Sequence, residues 1–89
     1  MIETRTVIAN KLGLHARAAA KLVNTANRFA CHCEIQFNAQ VADAKSIMAM
    51  LMLAATQGSD IVVRCDGRDE SEAMEAICAL INNLFDEDE

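Results

Sequence analysis

Residues 31–37 read Cys-His-Cys-Glu-Ile-Gln-Phe, and apolar and polar side chains alternate throughout this stretch. Because successive side chains of a β-strand point to opposite faces, Cys31, Cys33, Ile35 and Phe37 would share one face. Such alternation is typical of a sheet with one face against the core and the other in solvent. The stretch therefore predicts an antiparallel sheet that is covered by helices on one side.

The flanking sequence predicts the other elements of one α+β domain that spans residues 1–89. Strands are predicted at residues 2–8, 40–42 and 59–66, and helices at residues 16–27, 46–55 and 69–85. The resulting order is β-α-β-β-α-β-α. A ferredoxin-like β-α-β-β-α-β unit with an added helix fits the same order, because the pattern alone leaves the strand arrangement open.

Polar residues stand where two of the helices are predicted to begin. Ser46 precedes the second helix and is a preferred N-cap residue. Asp69 and Glu72 have the spacing of a capping box at the start of the third helix. Beyond that helix, the acidic residues 86–89 are expected to form a frayed, solvated end.

Composition and charge exclude several function classes. The net charge is −5 and the basic residues are scattered, so we do not expect nucleic-acid binding. The longest apolar run, residues 47–55, is too short to cross a bilayer, and the N-terminus lacks the apolar segment of a secretion signal. We expect a cytoplasmic monomer with no membrane insertion and no cofactor.

The four cysteines raise the possibility of a metal site. In a strand, however, His32 would point away from Cys31 and Cys33, and no second Cys/His pair stands at zinc spacing. We therefore expect no metal site, with His32 at the surface. The cysteines, at positions 31, 33, 65 and 78, are expected to be buried, reduced thiols.

A second informative stretch, Gly13-Leu14-His15-Ala16-Arg17, lies where a loop meets the first helix. With His15 as the N-cap, the backbone N–H groups of Ala16 and Arg17 have no helical partner. Together with the helix dipole and the Arg17 guanidinium, they would form an anion site around the imidazole. Gly13 would permit the tight turn that leads into this site.

These features favour a neutral imidazole nucleophile that accepts a phosphoryl group, because positive surroundings disfavour the imidazolium. A histidine that only caps the helix is the alternative, and the five residues by themselves leave both interpretations open. No second histidine or carboxylate is identifiable as a partner of His15. A hydrolase dyad or a metal centre at this position is therefore not expected.

The stretch GLHARAAAKLV at residues 13–23 resembles the active-site signature of the HPr family, the histidine-containing phosphocarriers of the bacterial phosphotransferase system. AKSIMAMLML at residues 44–53 and TQGSDIVV at residues 56–63 resemble the family's serine-site helix and fourth strand. The similarity runs from about residue 2 to residue 85. It implies an HPr-like open-faced β-sandwich, with a four-stranded antiparallel sheet and three helices on one face.

The resemblance also implies a function. His15 would be the phosphohistidine, modified at Nδ1, and Arg17 the family's active-site arginine. The phosphoryl group would come from phosphorylated enzyme I and pass to an enzyme IIA domain, so the protein would be a stoichiometric carrier and not an enzyme. Ala18 departs from the family pattern, which usually has proline after the arginine.

Ser46 matches the family's regulatory serine, which an HPr kinase/phosphorylase modifies in some lineages. Two other functions remain as alternatives. One is a regulatory binding module of the nitrogen-related branch, which would act through its phosphorylation state. The other is a ferredoxin-like domain that binds a small molecule without phosphoryl chemistry.

The predicted second helix, residues 47–55, is apolar on all sides. Part of it must be core, for which Ile47, Met50 or Leu51, and Ala54 are the candidates. The rest would form an exposed apolar surface, which usually marks a site of partner binding. Met48 is the best candidate for exposure, and the resemblance to HPr implies partner contacts by residues Ile47, Met48, Leu51 and Met52.

Overall fold

The computed structural model describes residues 1–87, in which four strands form one antiparallel sheet. They are β1 (Ile2–Val7), β2 (His32–Phe37), β3 (Gln40–Asp43) and β4 (Asp60–Asp66). Their spatial order is β1-β4-β2-β3. Because β1 lies at an edge, this is not the ferredoxin-like arrangement, in which the first strand is central.

Three helices cover one face of the sheet: α1 (Ala16–Ala26), α2 (Ile47–Leu53) and α3 (Glu70–Asn82). α3 packs on β1 and β4, α2 packs on β3, and α1 packs against the other two helices. The predicted open-faced α+β architecture is confirmed. None of the helices within residues 1–87 is long and apolar enough to cross a membrane.

The alternation in the central strands determines which face the helices cover. Cys33 and Ile35 of β2 lie opposite Cys65 and Val63 of β4, and all four side chains are buried. The residues between them face the open side, where Arg64 pairs with Glu3 across the sheet (Nε–Oε2, 2.7 Å). One-sided burial therefore follows directly from the period-2 pattern.

The start of α3 differs from the predicted capping box. Asp69 occupies the N-cap position, but its side chain makes no capping hydrogen bond. Its two carboxylate oxygens instead accept hydrogen bonds from the backbone N–H groups of Ala30 (2.8 Å) and Cys31 (2.9 Å). Asp69 therefore ties the start of α3 to the segment that enters β2, a tertiary role that local spacing does not reveal.

The predicted extension of α3 to residue 85 is wrong. The helix ends at Asn82, and Leu84, Phe85 and Asp86 then adopt positive φ angles of 57°, 54° and 62°. We call residues 84–86 the C-terminal turn. Left-handed backbone costs about 1–2 kcal/mol per non-glycine residue. Full burial of the Phe85 side chain, which contributes roughly 1.5–3 kcal/mol, offsets part of this cost.

α2 is shorter than predicted, and its core side differs from the expected one. Ala54 ends the helix in the left-handed conformation (φ 53°). Met50 is buried as expected, together with Leu53. Of the alternatives Met50 and Leu51, Met50 is the core residue, whereas the assignment of Ile47 and Ala54 to the core is wrong, because both are exposed. The short helix presents only one narrow side to β3 and α1, so most of its apolar residues face solvent.

We predict that Asp69→Asn lowers the thermal stability at neutral pH, because the amide has one acceptor oxygen and the N–H of either Ala30 or Cys31 would face its NH2 group instead. The backbone hydrogen bonds from Ala30 and Cys31 hold the pKa of Asp69 below its ordinary value of 3.8. A carboxyl with a depressed pKa stabilises the fold above its unfolded-state pKa, and this contribution is lost as the pH falls through the folded-state pKa.

The difference in Tm between Asp69→Asn and the parent should therefore be large at neutral pH and shrink below about pH 4. Thermal unfolding followed by circular dichroism across this range measures it. Glu72→Gln, which alters the other residue of the predicted capping box, is the control and should unfold like the parent. An equal loss of stability in both variants would contradict the tertiary role of Asp69 and support the capping box predicted from the sequence.

Candidate functional site

His15 caps α1 in the predicted manner. Its backbone is extended (φ −82°, ψ −178°), and Ala16 is the first helical residue. The backbone N–H of Arg17 donates to the imidazole Nδ1 (3.3 Å), and the N–H of Ala19 donates to the His15 carbonyl (2.8 Å). The Nδ1 edge of the ring is therefore directed toward the first turn of the helix.

The loop before His15 is held against the end of α2. The backbone N–H of Leu14 donates to the carbonyl of Ala55 (2.8 Å), and the N–H of Gly13 donates to that of Asn10 (3.2 Å). Gly13 has a φ of 68°, and a Cβ at this position would lie 2.6 Å from the Ala55 carbonyl oxygen. The predicted need for glycine has two causes, the backbone conformation and the close approach to residues 55–56.

The structure pairs His15 with a carboxylate that sequence reasoning missed. Nε2 of His15 contacts Oε2 of Glu87, 72 residues further along the chain. Glu87 is half-buried and does not belong to the expected frayed end; Asp88 and Glu89 lie outside the described residues. No local pattern relates positions this far apart in the chain, so no sequence signal pointed to the pair.

Asn10 completes this arrangement. Its side chain is fully buried, and its Nδ2 donates to Oε1 of Glu87 (2.9 Å) and to the carbonyl of Gly13 (2.8 Å). Both partners are acceptors, so the orientation of the Asn10 amide is determined. A single buried amide thus joins the loop before His15 to the carboxylate beside the ring.

The hydrogen bonds determine the tautomer of the His15 ring. Nε2 faces a carboxylate and carries the proton, whereas Nδ1 accepts a backbone N–H and keeps its lone pair. The hydrogen bond from Asn10, followed by the contact with His15 and the charge of Arg17, lowers the pKa of Glu87. Glu87 is therefore ionised at neutral pH. The sequence suggested purely positive surroundings for the ring, but the structure places this negative charge beside it.

The site is open on one side. The His15 side chain is 28% exposed, whereas that of Glu87 is 12% exposed, and Arg17 lies at the surface. An unprotonated Nδ1 at the exposed start of a helix whose first turn carries Arg17 can act as a nucleophile toward an anionic group. The carboxylate lies at the opposite edge of the ring and leaves this approach free.

Ser46 is the N-cap of α2, as predicted. Its backbone is extended, and its Oγ accepts a hydrogen bond from the N–H of Ala49 (3.2 Å).

An apolar surface lies on the solvent side of α2. We call residues Ile47, Met48, Leu51 and Met52 the apolar patch. All four side chains are exposed, Met48 by 63% and Met52 by 74%. Ile47 and Leu51 are four residues apart, as are Met48 and Met52, and Leu51 is three residues after Met48. The four side chains are therefore neighbours on one side of the helix. The exposure expected for Met48 is confirmed.

The cysteines are free, and three of them meet in the core. Within residues 1–87, the Sγ atoms of Cys31, Cys33 and Cys65 form the one group of potential metal ligands, all within 4.8 Å of each other. Burial raises the pKa of Cys31 to about 12 and those of the other two to about 11. The thiols are therefore neutral, a form that binds metal weakly. His32 lies at the surface beside Glu34 (3.2 Å).

Comparison with known proteins identifies close relatives. Residues 2–83 match the family model described as "PTS HPr component phosphorylation site". Phosphocarrier protein HPr of Cupriavidus necator is 51% identical over 89 residues, the whole of both chains. Phosphocarrier protein NPr of Proteus mirabilis is 46% identical over 85 residues, 94% of each chain. The crystal structure of HPr-C-His from Thermoanaerobacter tengcongensis has a TM-score of 0.96 at 38% identity, covering 100% of both chains.

We predict that Gly13→Ala destabilises the protein by more than about 1 kcal/mol, because alanine is strained at positive φ and its Cβ meets backbone atoms. Urea unfolding measures the change. Gly58→Ala is the matched control, since Gly58 also has positive φ (90°) but a Cβ there has nothing within 4 Å. If both variants lose equal stability, the close approach to Ala55 contributes nothing.

Proposed function

The chain belongs to the HPr family and is a phosphocarrier of the phosphotransferase system, and from this premise we propose that His15 is the residue that carries the phosphoryl group. The observation that supports this most strongly is the position of Nδ1, unprotonated and directed toward the start of α1. Such a protein is consumed and regenerated in each transfer, so it is a carrier and not an enzyme.

Phosphorylation at Nδ1 would use the groups that already surround it. The N–H of Arg17 now donates to the Nδ1 lone pair and would donate to a phosphoryl oxygen after transfer. The N–H of Ala16 and the Arg17 guanidinium are the other proposed donors. A helix terminus contributes only about 0.3–2 kcal/mol to binding an anion, which suits a group that must be passed on.

Two successive partners are proposed. Phosphorylated enzyme I is the donor and an enzyme IIA domain is the acceptor, both in the cytoplasm, where phosphoenolpyruvate is available. The apolar patch on α2 is the proposed contact surface, because methionines adapt to partners of different shape. We propose that the carrier is a monomer, which leaves the patch open to each partner in turn.

Ser46 is a proposed regulatory site for an HPr kinase/phosphorylase. Its hydroxyl lies directly before Ile47 and Met48, so a phosphate there would add nearly two negative charges beside the apolar patch. Partners that bind an apolar surface would then bind less tightly.

A regulatory role in the nitrogen-related branch is the second candidate function. The likeness to the protein named NPr favours it. The greater identity to a protein named HPr favours the first. Both functions use the same phosphohistidine and the same surface.

We predict that enzyme I and phosphoenolpyruvate, with the magnesium that enzyme I needs, transfer one acid-labile phosphoryl group to the protein. His15→Ala should abolish this transfer, because Nδ1 is the proposed acceptor. Arg17→Ala should slow it strongly and leave the fold intact. Intact-mass spectrometry and single-turnover kinetics measure the two effects.

His32→Ala is the matched control, since His32 is the second of two histidines and lies at the surface. It should be phosphorylated like the parent. Phosphorylation that persists in His15→Ala would contradict the assignment, and unchanged kinetics in Arg17→Ala would remove Arg17 from the site.

We predict that Met48→Glu weakens binding to enzyme I at least tenfold, because a charge would be desolvated in the interface without a counter-charge. Its effect on folding stability should stay within about 0.5 kcal/mol, since Met48 faces solvent. Titration calorimetry and thermal unfolding measure the two quantities.

Val7→Glu is the control for added surface charge. Val7 is also exposed, but it lies on β1, at the opposite edge of the sheet from β3 and α2. It should bind enzyme I like the parent. Equal affinity of Met48→Glu and the parent would place Met48 outside the interface.

A further inference from the structure

Building on the proposed role of His15, we propose that Glu87 is a positioning residue for phosphoryl transfer. Its carboxylate holds the imidazole with the proton on Nε2 and stabilises the positive charge that the ring gains when Nδ1 is phosphorylated. The contact between Oε2 of Glu87 and Nε2 of His15 is the central observation.

The carboxylate itself is held in place. Its second oxygen, Oε1, accepts a hydrogen bond from the buried Nδ2 of Asn10 (2.9 Å), which also donates to the Gly13 carbonyl. One amide therefore links Glu87 to the loop that carries His15. The two groups keep their relative position because they share this buried partner.

The backbone directly before Glu87 is anchored as well. The C-terminal turn passes through three left-handed residues, and Phe85 at its centre is fully buried. Lys21 of α1 donates to the Phe85 carbonyl (2.9 Å). The chain thus reverses after α3 and returns to the start of α1, where it delivers Glu87 to the ring.

The chemistry explains why a carboxylate is useful at this edge. During transfer the Nδ1 lone pair forms the bond to phosphorus, and the leaving atom of the donor takes the electron pair of the bond that breaks. Nε2 keeps its proton, so the ring becomes cationic. An anion at Nε2–H stabilises that charge and orients the ring, as carboxylates do for catalytic and metal-binding histidines.

Neighbouring charges do not replace this role. Arg17 is cationic and cannot stabilise a positive charge on the ring. Asp86, the adjacent acid, accepts a hydrogen bond from Asn83 (2.8 Å) and faces Lys21 (3.9 Å), not the ring. Asp86 therefore offers a matched control for loss of one negative charge in the same segment, and Asn tolerates its positive φ.

The test compares Glu87→Ala, Glu87→Gln and Asp86→Asn in the full-length protein. In ¹⁵N spectra at mildly alkaline pH, the parent should show an unprotonated Nδ1 and a protonated Nε2. Glu87→Ala should shift the Nε2 signal, because the Nε2–H loses its carboxylate acceptor, while the N–H of Arg17 still keeps Nδ1 unprotonated. The kcat of enzyme I with this variant as the phosphoryl acceptor should fall about 10–100-fold, with little change in KM.

Glu87→Gln removes the charge and leaves one acceptor oxygen for two donors, Nε2–H of His15 and Nδ2 of Asn10, so its rate should fall, but not below that of Glu87→Ala. Asp86→Asn should match the parent in both measurements. Parent-like shifts and rate in Glu87→Ala would overturn the proposal, and so would an equal loss of rate in Asp86→Asn.

These outcomes are distinguishable from failure of the proposed function. If His15 is not the acceptor, His15→Ala is still phosphorylated, whatever Glu87 does. If only the positioning role is wrong, His15→Ala remains unlabelled while Glu87→Ala transfers at the parent rate.

Discussion

The sheet has one apolar face, and the covering of that face by three helices determines where the other parts of the molecule lie. Cys33 and Ile35 of β2 and their partners on β4 must be removed from water, and the core lies directly above them. Once α1 and α3 occupy that position, their ends lie at the rim of the sheet. The start of α1 is therefore exposed to solvent, and the candidate site lies there.

The site depends on contacts between distant parts of the chain. The start of α1 supplies His15 and Arg17, Ala55 in the segment after α2 accepts the N–H of Leu14, and Glu87 follows the C-terminal turn. Asn10 is buried among these segments and bonds two of them. These segments are distant in the sequence, and the packing of the helices on the sheet brings them together. The geometry around the ring therefore depends on that packing.

The apolar patch follows from the shortness of α2. Seven residues can turn only one narrow side toward the core, and Met50 and Leu53 occupy that side. The remaining apolar side chains of α2 face solvent. Ala55, in the segment directly after α2, contacts the loop before His15, so a short stretch of chain joins the site to the proposed partner surface.

The sequence by itself determined what repeats locally or matches a family. The alternation at residues 31–37 predicted a half-buried strand, helical spacing predicted α1, and the motif at residues 13–17 predicted His15 as an N-cap. Only the tertiary structure decided the strand order, the role of Asp69, the reversal at Phe85 and the pairing of Glu87 with His15. Local periodicity reports which side of an element is apolar, whereas these features depend on which distant groups the packed core brings together.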